Sequence, residues 1–256
     1  MFPLGLNYQV TSPQRDPFKS KRATFYGGKD KIKTVLRGLK LDGLFGGKDA
    51  VRMDNFEALP DATAEPRVLF MARAWDTQKI ESKIQKEAVE AINETRAECV
   101  RVLSKQFRHR FFGGLAHDEY SQKYFSDCLL PDAGLSKKTK FLDTLKAFPI
   151  CVTTVGLNGS NGWKLAEYVA LSKAIVTEPL VYQVPGSFEK DRNYLEFATP
   201  EILVQNVTRL FEDRDLRNSL MTNNHNYYQS KVRPDALVLN TLNIVLEKIG
   251  ESPISS

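Results

Sequence analysis

Very little in these 256 residues points to a membrane span, a disulfide scaffold or a metal centre. The longest apolar runs are a handful of residues, against the roughly 20 needed to cross a bilayer. The first residues lack the charged-then-apolar layout of a signal peptide, so the expected setting is cytoplasmic. Cysteine is scarce: Cys99, Cys128 and Cys151 lie far apart with no CxxC spacing, which argues against a zinc knuckle or disulfide framework and predicts buried thiols. His109, His117 and His225 are scattered without metal-ligand spacing, and no metal is expected. His117, followed by Asp118 and Glu119 after a predicted strand, is the best placed of the three. Neither GxGxxG nor GxxxxGK[ST] occurs, so a dinucleotide fingerprint and a Walker loop are both missing.

What the chain does have is an uneven charge. Residues 13–48 hold ten Lys/Arg against three acids, a net +7, so the remainder carries −2 of the chain's +5. A basic head on a near-neutral body suits an anionic membrane surface or nucleic acid as partner. A solvated segment without a partner is the plainer reading, because the head shows no interleaved aromatics and no nucleic-acid motif.

Two regions follow from the pattern. Residues 1–65 form an irregular basic segment with paired glycines at 27–28 and 46–47 and a linker-like ALPDATAEP; KIKTVLRGLKL reads as a short basic helix interrupted by Gly38. Residues 66–250 alternate strand-like and helix-like stretches. RVLFMA, RFFGG, ICVTT, AIVTE and NYLEF read as strands. Residues 84–107 read as a helix with Ala91, Ile92, Cys99, Val102 and Leu103 on its apolar face, and further helices fill residues 117–128 and 137–148, the stretch after the glycine-rich loop, and the tail after residue 199. Apolar strands alternating with helices predict an α/β fold, a parallel sheet covered by helices on both faces.

In such a sheet, ligands bind where strand ends lead into helix N-termini. The stretch GLNGSNGWKLAEYVALSKAIV, 156–176, occupies such a place after ICVTT. Gly156, Gly159 and Gly162 permit close backbone approach, and Asn161 is placed to cap the following helix. Helix amides and dipole suit a phosphate, and Lys164 in the first turn adds a charged donor where a cation alone is unfavourable. Lys164 and Glu167 lie about 60° apart on a helical wheel, which leaves two readings open. Either Glu167 accepts hydrogen bonds from sugar hydroxyls, or the two form a surface ion pair worth under about 1 kcal/mol.

GWKLAEYVALSKAIVTE resembles the donor-site helix and following strand of group 1 glycosyltransferases with the GT-B fold, with Ser172 where that pattern usually has glycine. LFMARAWD resembles the first strand and phosphate-side loop of their second Rossmann-like domain, and TPEILVQNVTRLFEDRDLRNSL its later helices. The resemblance implies that Glu167 binds the ribose of a nucleotide-sugar donor and that Arg73 contacts its diphosphate. It places Gly159, Ser160, Asn161, Gly162 and Lys164 near the same phosphates, with Lys79 as a loosely aligned second basic residue. It implies a single GT-B-type half acting as a hexosyltransferase, with a nucleotide-sugar as substrate, no separate cofactor, and a saccharide or lipid-linked acceptor.

Only about 65 residues precede the donor-like region, too few for a second domain of that kind. No residue is therefore assigned as catalytic, and the expectation is that either the chain is a fragment of a longer enzyme, or a second polypeptide supplies the acceptor domain, or the domain binds nucleotide-sugar without transferring it. Peripheral membrane contact through residues 13–48 belongs to the same reading. The alternative is a non-catalytic Rossmann-like binding or assembly module, or half of a split enzyme.

Overall fold

A computed structural model of the chain describes residues 56–136 and 138–254. The basic segment 13–48, and with it the membrane and nucleic-acid contacts expected there, lies outside the described residues. Five parallel strands form one sheet: β1 (Val68–Ala72), β2 (Phe111–Leu115), β3 (Ile150–Thr153), β4 (Ala174–Thr177) and β5 (Tyr194–Glu196). Their spatial order is β2-β1-β3-β4-β5, with every pairing parallel. The α/β sheet predicted from the alternation is thus present, doubly wound and Rossmann-like. The chain moves outward from β1 to β2 and then returns to β3 on the other side, so the order reverses between β1 and β3.

Seven α-helices of the described residues complete the layers: α1 (Lys83–Phe107), α2 (Glu119–Tyr124), α3 (Lys138–Lys146), α4 (Trp163–Ala170), α5 (Pro200–Glu212), α6 (Arg214–Tyr227) and α7 (Pro234–Ile249). Alternate strand residues point to opposite faces. Leu69, Met71, Cys151 and Ile175 meet Leu142 and Leu145 of α3 and Leu165 and Val169 of α4. Val68, Phe70, Ile150, Val152 and Val176 meet Val100 and Leu103 of α1 and Leu203 and Val207 of α5. Burial on both faces explains why the strands read as unbroken apolar runs rather than as alternation. All three cysteines are buried, as predicted.

Short polar residues start the helices by accepting orphan amides. Asp118 accepts from Ser121 N at 2.8 Å at the head of α2. Thr199 caps α5, with Pro200 in its first turn. Asp213 closes α5 with its backbone and opens α6 with its side chain, which accepts from Leu216 N at 2.8 Å. The helix predicted over 84–107 is α1, but its buried stripe is rotated from the expected one. Val89, Asn93, Arg96, Ala97, Val100, Leu103 and Phe107 line it together with Cys99, whereas Ala91 is exposed. Two polar residues take places that composition alone would give to apolar ones.

The linker-like stretch lies against the body. Phe56 is buried in the core. Ala58 N donates to Ala170 O, and Arg214 and Arg110 donate to the carbonyls of Ala62 and Pro66. The polar-aromatic NNHNYY stretch ends α6: Tyr227 donates to Pro185 O at 2.8 Å and Tyr228 to Glu57 at 2.9 Å. No helix of the described residues is long and apolar enough to cross a membrane.

Candidate functional site

The strand order reverses between β1 and β3, and at the carboxyl ends beside such a reversal doubly wound sheets have the crevice in which they bind ligands. Two loops border it: residues 73–77 after β1 and residues 154–162 after β3. The first loop is held from α1. Asn93, fully buried, donates to Trp75 O at 2.8 Å and accepts from Trp75 N at 2.9 Å, reproducing a backbone pairing with one amide side chain. Thr77 Oγ1 lies 3.1 Å from Tyr120 Oη.

Arg96, one turn beyond Asn93, joins the two loops. Its guanidinium donates to Arg73 O at 2.7 Å, to Thr154 Oγ1 at 3.2 Å and to Val155 O at 3.4 Å, and stands 4.7 Å from the centre of the Trp75 ring. Trp75 therefore has one face engaged by a cation, and its ring is half-buried. Burial lowers the Arg96 pKa below the ordinary arginine value, with Glu178 opposing the shift. Glu178, after β4, accepts from Val155 N at 2.8 Å. Burial raises its pKa from 4.5, and the Val155 amide and Arg96 pull it back down.

The second loop turns tightly. Gly156 N donates to Ser160 O at 2.7 Å, and Gly159 N to Gly156 O at 3.0 Å. Asn158 and Gly159 both take left-handed backbone angles, φ 57° and 71°. A Cβ on Gly159 would stand 2.9 Å from Val181 Cγ2, so the side-chain-free residue fits both the angle and the space. The expected capping role of Asn161 is not observed. Gly162 occupies the N-cap of α4 without a side-chain bond, and Asn161 instead donates to Tyr182 O at 3.3 Å. One residue of offset decides this, because only the N-cap side chain reaches the second and third amides of the helix. The first turn of α4 consequently begins without a side-chain acceptor from its cap, next to the crevice.

Lys164, in that first turn, donates through Nζ to Met71 O on β1. Arg96 approaches from the sheet face covered by α1 and Lys164 from the face covered by α4, so two cations span the β1–β3 gap from opposite layers. Arg73 adds a third, exposed at the rim. Glu167, one turn into α4, is 5% exposed and belongs to the interior. The residues singled out from the sequence lie on three segments that follow β1 and β3: Arg73 on the first loop, Gly159, Ser160, Asn161 and Gly162 on the second, Lys164 and Glu167 on α4. Lys79 lies apart, 85% exposed by its side chain, 3.6 Å from Asp76.

Asn93, Arg96 and Glu178 were not legible as site residues. The available signal was the placement of Asn93 and Arg96, three residues apart, on the apolar stripe of a helix. Ser172, at the position where the resembled pattern has glycine, adopts φ 53° and is fully buried. Its hydroxyl donates to Ala58 O at 2.6 Å and lies 3.2 Å from His225 Nδ1. His117 Nε2 lies 2.5 Å from Leu130 O, which gives that ring a structural partner. Among the described residues no group of three His, Cys, Asp or Glu is arranged to hold a metal ion.

No protein-family model and no curated protein matches the sequence. Solved structures similar to this chain include the C-terminal domain of a group 1 family glycosyl transferase from Francisella tularensis, 12% identical, with a TM-score of 0.47, covering 72% of this chain and 99% of that one. TarM of S. aureus, solved with fondaparinux, α-GlcNAc-glycerol and UDP, is 13% identical with a TM-score of 0.46 over 74% of this chain. The pneumococcal O-GlcNAc transferase GtfA, solved with UDP and GlcNAc, is 12% identical with a TM-score of 0.45 over 75%. The matched regions span 37% and 38% of the TarM and GtfA chains.

Proposed function

We propose that the crevice between β1 and β3 binds the diphosphate of a nucleotide-sugar donor, and that the chain serves as the donor half of a GT-B-type hexosyltransferase. One observation carries this reading: Arg96 joins the loop of the exposed Arg73 to the glycine-turned loop before α4, a helix whose cap provides no side-chain acceptor. Oriented amides and fixed cations are what a diphosphate needs, and both stand at the strand ends. The likeness of GWKLAEYVALSKAIV to the group 1 donor-site pattern supports the same assignment from the sequence.

In this reading Arg73 and the first-turn amides of α4 take the phosphate oxygens. Lys164 adds positive potential from its seat on Met71 O. Glu167 takes the ribose hydroxyls, its interior position favouring a single orientation. When the bond between sugar and diphosphate breaks, negative charge grows on the leaving phosphate. The α4 amides, already oriented by the helix, stabilise that charge without reorganising. Arg96, Asn93 and Glu178 hold the two loops at constant separation, which is a positioning task. The acceptor, a saccharide or a lipid-linked sugar, and the residue that deprotonates it belong to a wall supplied from outside residues 56–254, for which a second polypeptide is the proposed source.

Calorimetric titration of the full chain with UDP, GDP and their sugar conjugates tests the reading. Saturable binding, weakened at least about tenfold in Arg73→Ala and in Glu167→Gln, is the expected outcome, since a charge-assisted hydrogen bond is worth roughly 1.5–3 kcal/mol. Absence of binding by every nucleotide would overturn it in favour of a Rossmann-like assembly module.

A further inference from the structure

Helix α7 differs from every other long helix of the domain: none of its sixteen residues is buried. Val238, Leu242, Val245 and Ile249 are 57%, 46%, 50% and 66% exposed. Their spacing of four, three and four residues places them in one stripe along the whole helix, with Ile244 beside it at 55%. A stripe of this kind is a surface made to be covered. The helix is tied to the body at its start, where Arg233 N donates to Tyr228 O and Asn240 donates to Ser230 O at 2.8 Å. The tail after it folds back on the helix, Asn243 exchanging two hydrogen bonds with Ile254, while the apolar stripe stays exposed.

The chain supplies its own candidate to cover that stripe. Residue 56 is where the N-terminal 55 residues join the described domain, and they join it beside α7. Glu57 forms an ion pair with Arg233, the residue before Pro234, at 3.5 Å. Ile32, Val35, Leu36 and Leu39 recur at helical spacing within KIKTVLRGLKL. From Phe45 to Phe56 the chain advances eleven residues, a reach of about 36 Å when extended. Sixteen helical residues span only about 24 Å, so every point of the stripe is within range. Charge is complementary: residues 31–45 carry four Lys/Arg and one acid, and residues 234–251 carry three acids and one lysine.

We infer that residues 31–45 dock on the Val238–Ile249 stripe of α7 within the same chain, with Ile32, Leu36 and Leu39 against it. This docking is independent of the donor-site reading. It gives the basic segment a seat on the domain.

The test uses the full chain carrying Leu39→Cys and Val245→Cys and a short bis-maleimide; the native thiols are buried. The expected result is a cross-link within single chains, with a yield independent of protein concentration. Adding Ile32→Asp and Leu36→Asp should slow it at least tenfold and raise amide exchange in α7. Three results would overturn the inference. One is a cross-link between chains that grows with concentration, which would make a second copy the occupant. Another is the absence of any cross-link. The last is a single-chain cross-link indifferent to the aspartates, as a loose tether would give.

Discussion

Arg96 and Arg73 divide between them what the β1 loop needs: the guanidinium of Arg96 donates to the carbonyl of Arg73 at 2.7 Å, while the side chain of Arg73 stays exposed. The first is bound to three groups on two loops; the side chain of the second has no hydrogen bond or ion pair among the described residues.

Substitution should separate the two roles. Arg96→Met leaves the partly buried carbonyls of Arg73 and Val155 without their donor, and the expected loss is about 2–4 kcal/mol in urea denaturation. Arg73→Ala should change stability by less than about 0.5 kcal/mol and act only on nucleotide binding.

Ser172 combines an unfavourable backbone angle with a favourable hydroxyl. Ser172→Ala keeps φ 53° and loses the bond to Ala58 O, at an expected cost of about 1–3 kcal/mol. Ser172→Gly loses the same bond and regains about 1 kcal/mol of backbone strain. Glycine should therefore be the milder substitution in chemical denaturation. The reverse order would mean that the left-handed angle is not retained in solution.

Gly113 sits on β2 beside β1, and a Cβ there would fall 1.8 Å from Phe70 O. The obstacle is backbone of the central sheet, which does not give way as a side-chain tip does. Gly113→Ala should cost more than about 4 kcal/mol and show as loss of folded protein in expression yield and circular dichroism.

Alkaline pH should weaken the fold through its thiols. Burial pushes Cys151 up to about 12 from the ordinary 9.0. The unfolded chain releases that proton near pH 9 while the folded chain keeps it. The contribution is then complete below pH 9 and is lost as pH rises toward 12, by up to about 1.4 kcal/mol per pH unit. Cys151→Ala should flatten the fall in thermal midpoint between pH 9 and 11. In the native protein Cys151 should resist alkylation at pH 8.

The sequence by itself determined the elements and their succession. ICVTT and AIVTE could only be strands buried on both faces, because no polar residue interrupts their apolar runs until the crevice end. The glycines from 156 to 162 placed a turn directly after β3, and the alternation with helices required parallel strands. These are properties of neighbouring residues, governed by periods of two and 3.6, and they leave a trace in composition. Tertiary structure alone decided which helix face turns inward on α1, and so placed Asn93 and Arg96 under the site while Ala91 went to solvent. It also decided that Asn161 serves Tyr182 O rather than the α4 cap, and that Ser172 meets a carbonyl 114 residues away. The physical reason is the same in each case. A buried polar group must find a partner, and when that partner is a backbone carbonyl brought close by chain closure, its own side chain carries no sign of the pairing.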